Sequence, residues 1–416
     1  MNKKMYLFDI ESFTGGGKLK VVYKLLVDNT PFDLEYTISL HGADSDTYSI
    51  NEVPRLSDPV VVSLMYNMLV EGYDFESEIP ISPKLYHHLT KDLIPHLVSM
   101  NPAVVKNIEI NVPISLNKIE KKSNWIGTGV SCGIDSFSAI KEYSQENDDE
   151  YKLTHLLYFK IGAHHGRLYP CPEEVENRIF SEELEIADRF CKTNGFKLVV
   201  VDSNVNQMAN KFWGAIPFAN VALFRNAGAM LTIQSYFSKY VLATTYATFD
   251  DFSMNISDGL EHNLWWSMPL LGSDALEIIP AGSAMNRIEK TKFVADFTPS
   301  HDNLMVCWAG HKNCGECDKC IRTLVALDFI GSLDLFKNSF DLAKYKACKN
   351  IHLQHVVAYQ YRDPFFRELV EYAKEHQIAL PNYIKSVVGE YYRLSRKNKL
   401  SSLPKLAYNR IKSFLK

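Results

Sequence analysis

From Trp125 onward, short apolar runs alternate with segments of helical length, and this alternation limits the fold more than any other feature of the sequence. The apolar runs cover 125–130, 153–159, 197–201 and 240–244, and the helical patterns include 180–190 and 226–237. Strands that alternate with helices pair in parallel through right-handed crossovers, and helices then cover both faces of the sheet. The sequence therefore predicts an α/β fold with a parallel sheet, whose ligands bind beyond the carboxyl ends of the strands.

The length of the chain leaves room for further domains on both sides of this core. At ~100–200 residues per domain, two or three domains are expected for a chain of 416 residues. We predict an N-terminal α+β domain over 1–120, the parallel core over 121–330, and a helical, basic C-terminal region over 331–416.

The N-terminal region carries the signals of a small mixed domain. Residues 19–27 and 34–40 are β-like runs, and a helical stretch is expected near 59–70. Gly15-Gly16-Gly17 lies between strand-like segments, so we predict a hairpin turn there rather than a phosphate contact.

Charge, hydropathy and cysteine content limit the location of the protein and its partners. The chain has 45 basic and 49 acidic residues, a net charge of -4, so no global field draws it to nucleic acid. No run reaches the ~18–20 apolar residues that cross a bilayer, and the N-terminus lacks a secretory signal. The eight cysteines do not have the density of a small secreted disulfide scaffold. We therefore expect a cytoplasmic protein without a transmembrane segment.

The last residues of the chain form a basic segment. Between Tyr391 and Lys416 there are eight basic residues and no acidic one, interleaved with apolar residues. This pattern predicts contact with an anionic surface or a macromolecular partner, and the alternative is a solvated terminal helix.

The strongest candidate for catalysis is the turn after the first apolar run, here called the nucleotide loop. It comprises Ser131, Cys132, Gly133, Ile134, Asp135 and Ser136. Backbone amides at a helix N-terminus bind anions, and the Ser131 and Ser136 hydroxyls add further donors. Asp135 is expected to hold magnesium or to cap the helix. The alternative for the whole loop is a helix-capping turn without a ligand.

The second candidate site is a cluster of four cysteines, here called the cysteine cluster. It comprises Cys307, Cys314, Cys317 and Cys320. Four thiolates at this spacing can complete a tetrahedron around zinc, which is the arrangement of a structural site. An iron–sulfur cluster also takes four cysteines, and His311 is an alternative ligand.

The nucleotide loop resembles the Ser-Gly-Gly-x-Asp-Ser loop of the N-type ATP pyrophosphatases, also called the PP-loop family. Cys132 stands where that pattern has its first glycine. A cysteine fits there if its φ is negative. We expect its thiol to be passive, and the alternative is a nucleophile activated by the helix N-terminus.

Loop and cysteine cluster together resemble the 7-cyano-7-deazaguanine synthases of the queuosine pathway over about 123–330. Weaker matches lie at 156–159, 182–202, 224–226 and 285–297. The resemblance fails at 246–253, where the family carries its substrate motif, and in the insert that follows through Trp266. The flanking regions also lie outside the family pattern and suggest a specialised relative from a defence or surface-polysaccharide system.

The resemblance implies an adenine nucleotide alpha hydrolase-like fold that binds ATP and magnesium, with zinc in the cysteine cluster. Phosphates would lie on the nucleotide loop, and adenine beside Tyr158 and Phe159. The implied catalytic residues are Ser131, Asp135, Arg225 and Lys290. For Arg225 and Lys290, the alternative is an ordinary surface cation. Adjacent residues point in different directions, so His164 and His165 are expected to be a polar pair in the loop after the second strand of the core, and the alternative is a site for substrate or a metal.

The implied activity is that of an ATP-dependent carbon–nitrogen ligase. Such an enzyme adenylates a 7-deazaguanine-like carboxylate, releases pyrophosphate and uses ammonia to form an amide or a nitrile. Two alternatives are an amidotransferase for a sugar or another carboxylate, and a non-catalytic nucleotide-binding subunit of a complex. Expected partners are the small carboxylate, ammonia, a protein bound by the terminal regions, and a second copy of the chain in a homodimer.

Overall fold

The computed structural model shows the predicted alternation of strands and helices after Trp125. It describes residues 3–165, 171–245, 265–308 and 312–396. The chain forms two compact units, Met1–Ala284 and Met285–Lys416. The domain boundaries expected near residues 120 and 330 stay predictions.

In the described residues of the first unit, ten strands form one sheet. The strands are β1 Lys3–Gly15, β2 Lys18–Val27, β3 Thr30–Gly42, β4 Tyr73–Ser77, β5 Ile110–Asn111, β6 Trp125–Gly129, β7 His155–Lys160, β8 Lys197–Ser203, β9 Phe237–Ala243 and β10 Glu277–Ala281. Their order across the sheet is β10-β9-β6-β7-β8-β3-β2-β1-β4-β5.

Helices flank this sheet. Those of the first unit are α1 Asp58–Ser63, α2 Met65–Glu71, α3 Pro83–His87, α4 Ile94–Met100, α5 Ile134–Ser144, α6 Glu173–Asn194, α7 Val205–Trp213 and α8 Phe218–Thr232. A π-helical segment, His88–Leu93, joins α3 to α4, and 3-10 segments occur at Ser45–Thr47 and Trp265–Leu271.

The five strands from β6 to β10 are all parallel, which confirms the predicted α/β class. Beginning at β6, the chain adds β7 and β8 on one side and then returns to place β9 and β10 on the other. The direction of strand addition therefore reverses beside β6. In open α/β sheets the crevice at such a reversal is where ligands bind.

The N-terminal strands extend the same sheet. β1 and β2 form the predicted hairpin, with Gly16 at φ 57° and Gly17 at φ 72°. Left-handed φ at two successive turn residues suits the twist of a two-residue hairpin, and glycine adopts it without steric cost. β3 then pairs antiparallel with β8 and joins these strands to the parallel ones.

The two faces of the sheet pack against different helices. Phe137 on α5 contacts Phe190 on α6 at 5.2 Å between ring centroids, so these helices share one face. On the opposite face α1 packs against α8. A Cβ on Gly228 would overlap the Ser63 hydroxyl and lie 2.9 Å from the Pro59 carbonyl oxygen, so only glycine permits this close approach.

One predicted helix is shorter than expected. The pattern over 226–237 predicts a helix to Phe237, but α8 ends at Thr232 and Phe237 is the first residue of β9. Phe237 pairs with Trp125 of β6. The apolar residues of this stretch serve a buried strand as well as a buried helix, and periodicity does not separate the two.

The second unit is helical, as expected for the chain after Gly331. Its helices are α9 Arg287–Ala295, α10 Asp318–Phe329, α11 Leu342–Tyr359, α12 Pro364–Glu375 and α13 Tyr383–Arg396, with 3-10 segments at Thr298–Ser300 and Leu333–Phe336. Several begin at side-chain caps: Asn286 and Glu289 form a capping box on α9, and Asp363 caps α12. These caps satisfy amides that would otherwise lack a partner at the helix start.

Candidate functional site

The nucleotide loop connects β6 to α5 and lies where the strand order reverses. The amide of Val130 donates to the Leu157 carbonyl over 2.8 Å, so the loop leaves the sheet beside β7. Gly133 is the extended N-cap residue, and α5 begins at Ile134. The start of an eleven-residue helix therefore lies at the carboxyl end of the central strand, which is a favourable place for an anion.

Hydrogen bonds inside the loop separate the roles of its two serines. The Ser136 hydroxyl donates to the Gly129 carbonyl over 2.9 Å and accepts from the Ser131 amide over 3.1 Å. Ser136 is buried, whereas Ser131 is exposed and Asp135 half-buried. Ser136 thus closes the loop, and Ser131 and Asp135 are the loop side chains that solvent reaches.

Cys132 adopts a backbone conformation that differs from expectation. Its φ is 54°, in the left-handed region, so the condition of a negative φ is not met. This region costs an L-residue about 1–2 kcal/mol and is natural for glycine. The turn needs a conformation that suits glycine, and Cys132 adopts it under strain.

The surroundings of the Cys132 thiol disfavour its ionisation. Its side chain is buried. Burial raises the pKa of the thiol to about 12, and the Glu183 carboxylate adds to the effect. A thiol with this pKa contains almost no thiolate at neutral pH, so the passive role is favoured over the nucleophile.

Tyr158 and Phe159 point to opposite faces of β7. Tyr158 stacks on Phe180 of α6, with ring centroids 5.4 Å apart, whereas Phe159 contacts Tyr240 of β9 at 6.1 Å. Successive residues of a strand alternate in direction. Only Tyr158 therefore shares the face of α5 and α6, and the adenine site near these two residues stays a prediction.

Charged side chains gather where β7 and β8 end. Lys160, at the end of β7, is buried, and its ammonium lies 3.1 Å from the Asp202 carboxylate near the end of β8. Parallel strands bring their carboxyl ends to the same edge of the sheet. This ion pair therefore lies on the edge from which the nucleotide loop departs.

The expected polar histidine pair contains one residue with a defined structural role. His164 is buried, and its Nδ1 lies within hydrogen-bond distance of the Glu183 carboxylate, at 2.7 Å. Its Nε2 donates to the Phe159 carbonyl over 2.9 Å. The Tyr158 hydroxyl also donates to Glu183, over 3.3 Å. Two residues around the end of β7 thus hold one carboxylate of α6.

Arg225 and Lys290 are both almost fully buried, at 1 % exposure each, so the surface-cation alternative is wrong for them. The Arg225 guanidinium donates to the Ile161 carbonyl over 2.9 Å and to the Asn206 side chain over 3.1 Å. Arg225 therefore supports the segment after β7. Lys290 lies on α9 in the second unit, and the catalytic role of both residues stays a prediction.

The cysteine cluster of the second unit brings four sulfur atoms together within 4.8 Å of one another. Cys307 and Cys317 are 3.9 Å apart between sulfurs, and Cys314 and Cys320 are 4.0 Å apart. A tetrahedral ion with metal–sulfur bonds of about 2.3 Å spaces its ligands about 3.8 Å apart. The cluster can therefore hold one metal ion.

Backbone amides point at these sulfurs. Cys314 accepts from the amide of Cys317 over 3.3 Å, and Cys317 accepts from the amide of Cys320 over 3.5 Å at the start of α10. The Cys307 thiol raises the pKa of the Cys317 thiol to about 11, with burial adding to the shift. Thiolates this close together repel one another, so their ionisation needs a cation between them.

Asn313 fixes the segment that carries Cys307. Its side-chain oxygen accepts from the amides of Val306 and Cys307, over 2.9 and 3.2 Å. Its side-chain nitrogen donates to the Leu304 and Ser339 carbonyls, over 2.7 and 2.9 Å. One amide side chain therefore holds the distant ligand segment close to the other three cysteines.

Sequence reasoning missed Asn313, and it also missed Lys160, Glu183 and Asn206 beside the nucleotide loop. Lys160 had a usable signal, because a lysine that ends an apolar run sits at the carboxyl edge of a predicted strand. Glu183 and Asn313 had none, because each lies among other polar residues. Three predictions fall outside the described residues: the altered loop at 246–253, His311 as a ligand, and the basic segment beyond Arg396.

None of the helices in the described ranges combines the length and apolar character needed to cross a membrane. The resemblance to the ATP pyrophosphatases rests on the motifs of this chain. Comparisons of the chain with protein-family models, with curated proteins and with solved structures find no match.

Proposed function

We propose that the protein is an ATP-dependent ligase that adenylates a carboxylate and releases pyrophosphate. The observation that carries this proposal is the position of the nucleotide loop. It lies between β6 and α5, where the order of parallel strands reverses. A reversal of strand order, backbone amides at a helix start and the exposed Ser131 hydroxyl together favour a polyphosphate ligand.

The proposed reaction has two steps. A carboxylate oxygen attacks the α-phosphorus of ATP, and the bond from that phosphorus to the pyrophosphate oxygen breaks. Ammonia then attacks the acyl carbon, its nitrogen loses a proton to solvent, and AMP leaves with the electrons of the carbon–oxygen bond. The product is an amide, which a second activation can dehydrate to a nitrile.

The first step brings two anions together, so the site must offset negative charge. The amides at the start of α5 and the exposed Ser131 hydroxyl would bind phosphate oxygens. Asp135 would hold magnesium, which supplies positive charge next to the phosphates. Arg225 is the proposed cation for the developing charge within the first unit, and it also supports the segment after β7.

We propose that the cysteine cluster holds a structural zinc ion. Four sulfurs about 4 Å apart fit one tetrahedral ion without an open position. In an iron–sulfur cluster the four cysteines are divided over two or more iron atoms, so they do not all surround one ion. Zinc would contribute stability to the start of α10, and no step of the proposed reaction depends on it.

The experiment is to incubate the full chain with ATP, magnesium, ammonium and a 7-deazaguanine carboxylate and to identify the products. AMP and pyrophosphate, formed only when the carboxylate is present, are expected. Turnover with a sugar acid but not with the deazaguanine acid would favour the amidotransferase alternative. Nucleotide binding without cleavage for any acid tested would favour the non-catalytic subunit. ADP and orthophosphate as products would contradict adenylation altogether.

A further inference from the structure

Glu183 on α6 is a carboxylate at the candidate nucleotide site that the proposed chemistry does not use. Its side chain is 26 % exposed, whereas the His164 side chain bonded to it is 6 % exposed. Its Oε2 lies 2.7 Å from Nδ1 of His164 and accepts from the Tyr158 hydroxyl over 3.3 Å. Protein groups thus hold one side of the carboxylate, and its other side is accessible to a ligand.

The partners of Glu183 are themselves fixed in place. The second ring nitrogen of His164 donates to the Phe159 carbonyl over 2.9 Å, so both nitrogens face oxygen acceptors. The rings of Tyr158 and His164 both pack on Phe180, with centroids 5.4 and 5.1 Å away. A side chain held in this way keeps one rotamer, which is what a recognition site requires.

The carboxylate has one oxygen available for a ligand. Within the part of the chain that the structure describes, the hydrogen bonds of Glu183 all use Oε2 and leave Oε1 as a further acceptor. An ionised carboxylate repels phosphate but accepts strongly from hydroxyl groups. The ligand group that fits Oε1 is therefore a hydroxyl donor.

The position of Glu183 suits the sugar of a nucleotide. The nucleotide loop begins at Val130, whose amide bonds to Leu157, the residue before Tyr158. α5 and α6 lie on the same face, as the contact of Phe137 with Phe190 shows. A nucleotide with its phosphates on this loop carries its ribose next to the α-phosphate. In dinucleotide-binding parallel sheets an acidic side chain accepts from a ribose hydroxyl in this way.

We propose that Glu183 recognises the ribose hydroxyls of bound ATP and that His164 and Tyr158 position its carboxylate. This inference rests on the proposed function, because it assumes that ATP is the ligand of the nucleotide loop. It makes Glu183 a specificity residue for ribonucleotides and His164 a positioning residue.

The experiment compares the affinity of the full chain for ATP and for 2′,3′-dideoxy-ATP, by calorimetry with magnesium and without a carboxylate substrate. A hydrogen bond to a charged acceptor contributes about 1.5–3 kcal/mol, which is roughly 10-fold to 150-fold in affinity. We expect the wild type to bind ATP at least about 10-fold more tightly than the dideoxy analogue.

Three variants assign this preference to residues. Glu183→Gln should weaken ATP binding about 10-fold, leave binding of the dideoxy analogue unchanged and abolish the preference. His164→Gln should reduce the preference in part, which a merely structural role would not do. Glu185→Gln, an exposed glutamate on the same helix, should behave as wild type.

The outcomes separate the two proposals. If the wild type binds both nucleotides equally, or if Glu183→Gln keeps the wild-type preference, the ribose assignment is overturned while the proposed function stands. If the wild type binds no ATP, the proposed function is wrong, and this inference, which rests on it, is wrong as well. The comparison of nucleotides on the wild type needs no variant to fold.

Discussion

The Ser136 hydroxyl donates to the Gly129 carbonyl over 2.9 Å and ties the first turn of α5 to the last residue of β6. The same oxygen accepts from the Ser131 amide over 3.1 Å. One buried side chain therefore closes the loop on which the proposed ATP site depends. The bond explains how a chain without a glycine at position 132 still forms a tight turn between strand and helix.

Replacing Ser136 should weaken both the loop and the fold. Ser136→Ala leaves the Ser131 amide and the Gly129 carbonyl without this partner, and each lost bond costs about 1 kcal/mol. We expect the free energy of unfolding to fall by about 2 kcal/mol in urea titrations. Ser181→Ala, which removes a bond to the Asn177 carbonyl on an exposed part of α6, is the matched control and should change stability by less than about 0.5 kcal/mol. Equal stability of the two variants would show that the bond contributes nothing.

The solvent-accessible side chains of the loop should matter for chemistry rather than for stability. Ser131→Ala and Asp135→Ala should each abolish AMP formation, because one donor and one magnesium ligand would be lost. Their melting temperatures should remain near that of the wild type. Product analysis by chromatography tests the first expectation, and differential scanning calorimetry tests the second. Full AMP formation by either variant would remove that residue from the proposed site.

At position 132 a glycine variant should be more stable than an alanine variant, which is the reverse of the usual order of stability. In regular structure glycine is less stable than alanine by about 0.5–1 kcal/mol. At φ 54° glycine relieves strain that alanine keeps, and both variants lose the same thiol. We expect Cys132→Gly to be more stable than Cys132→Ala by about 1 kcal/mol in chemical denaturation. If Cys132→Ala were the more stable variant, that result would contradict a left-handed φ at this position.

The cysteine cluster should contain about one zinc per chain by elemental analysis. Cys314→Ser should lose the metal and lower the melting temperature, because metal-binding free energy contributes directly to folding. Cys348→Ser, at a half-buried cysteine outside the cluster, should keep the metal. Iron with visible absorbance, or a chain without metal when purified in the absence of chelators, would overturn the zinc assignment.

Acid should destabilise the protein through His155. This residue stacks on Trp125 at 4.1 Å, and burial lowers its pKa to about 3, with Lys197 adding to the shift. The unfolded state binds a proton near pH 6.5 and the folded state does not, so stability is lost as the pH falls from about 6.5 toward 3. Between pH 7 and 5 the cost is about 2 kcal/mol.

His155→Phe should remove this part of the pH dependence. The gap in unfolding free energy between wild type and variant should shift by about 2 kcal/mol in favour of the variant when the pH falls from 7 to 5. His87→Gln, at an exposed histidine of the same unit, is the control and should keep the wild-type slope. A His155→Phe variant with the wild-type slope would show that folding does not lower the pKa of His155.

The sequence determined those features whose causes lie within a few residues. The strand, turn and helix around the nucleotide loop follow from an apolar run, turn residues and a helical pattern in direct succession, and the structure has all three at these positions. The hairpin at Gly16 and Gly17 was also predictable, since the turn type needs residues that tolerate positive φ. The close spacing of the cysteines likewise limited the metal that their cluster can hold.

Only the tertiary structure decided which distant residues meet. Glu183 and Tyr158 are 25 positions apart, and Arg225 reaches a carbonyl 64 positions away. Periodicity shows that a residue is buried or exposed but does not name its partner across the sheet. The antiparallel pairing of β3 with β8, which joins the N-terminal strands to the parallel ones, was also decided only by the tertiary structure. Strand pairing depends on how the whole core packs, and a local sequence pattern does not contain that information.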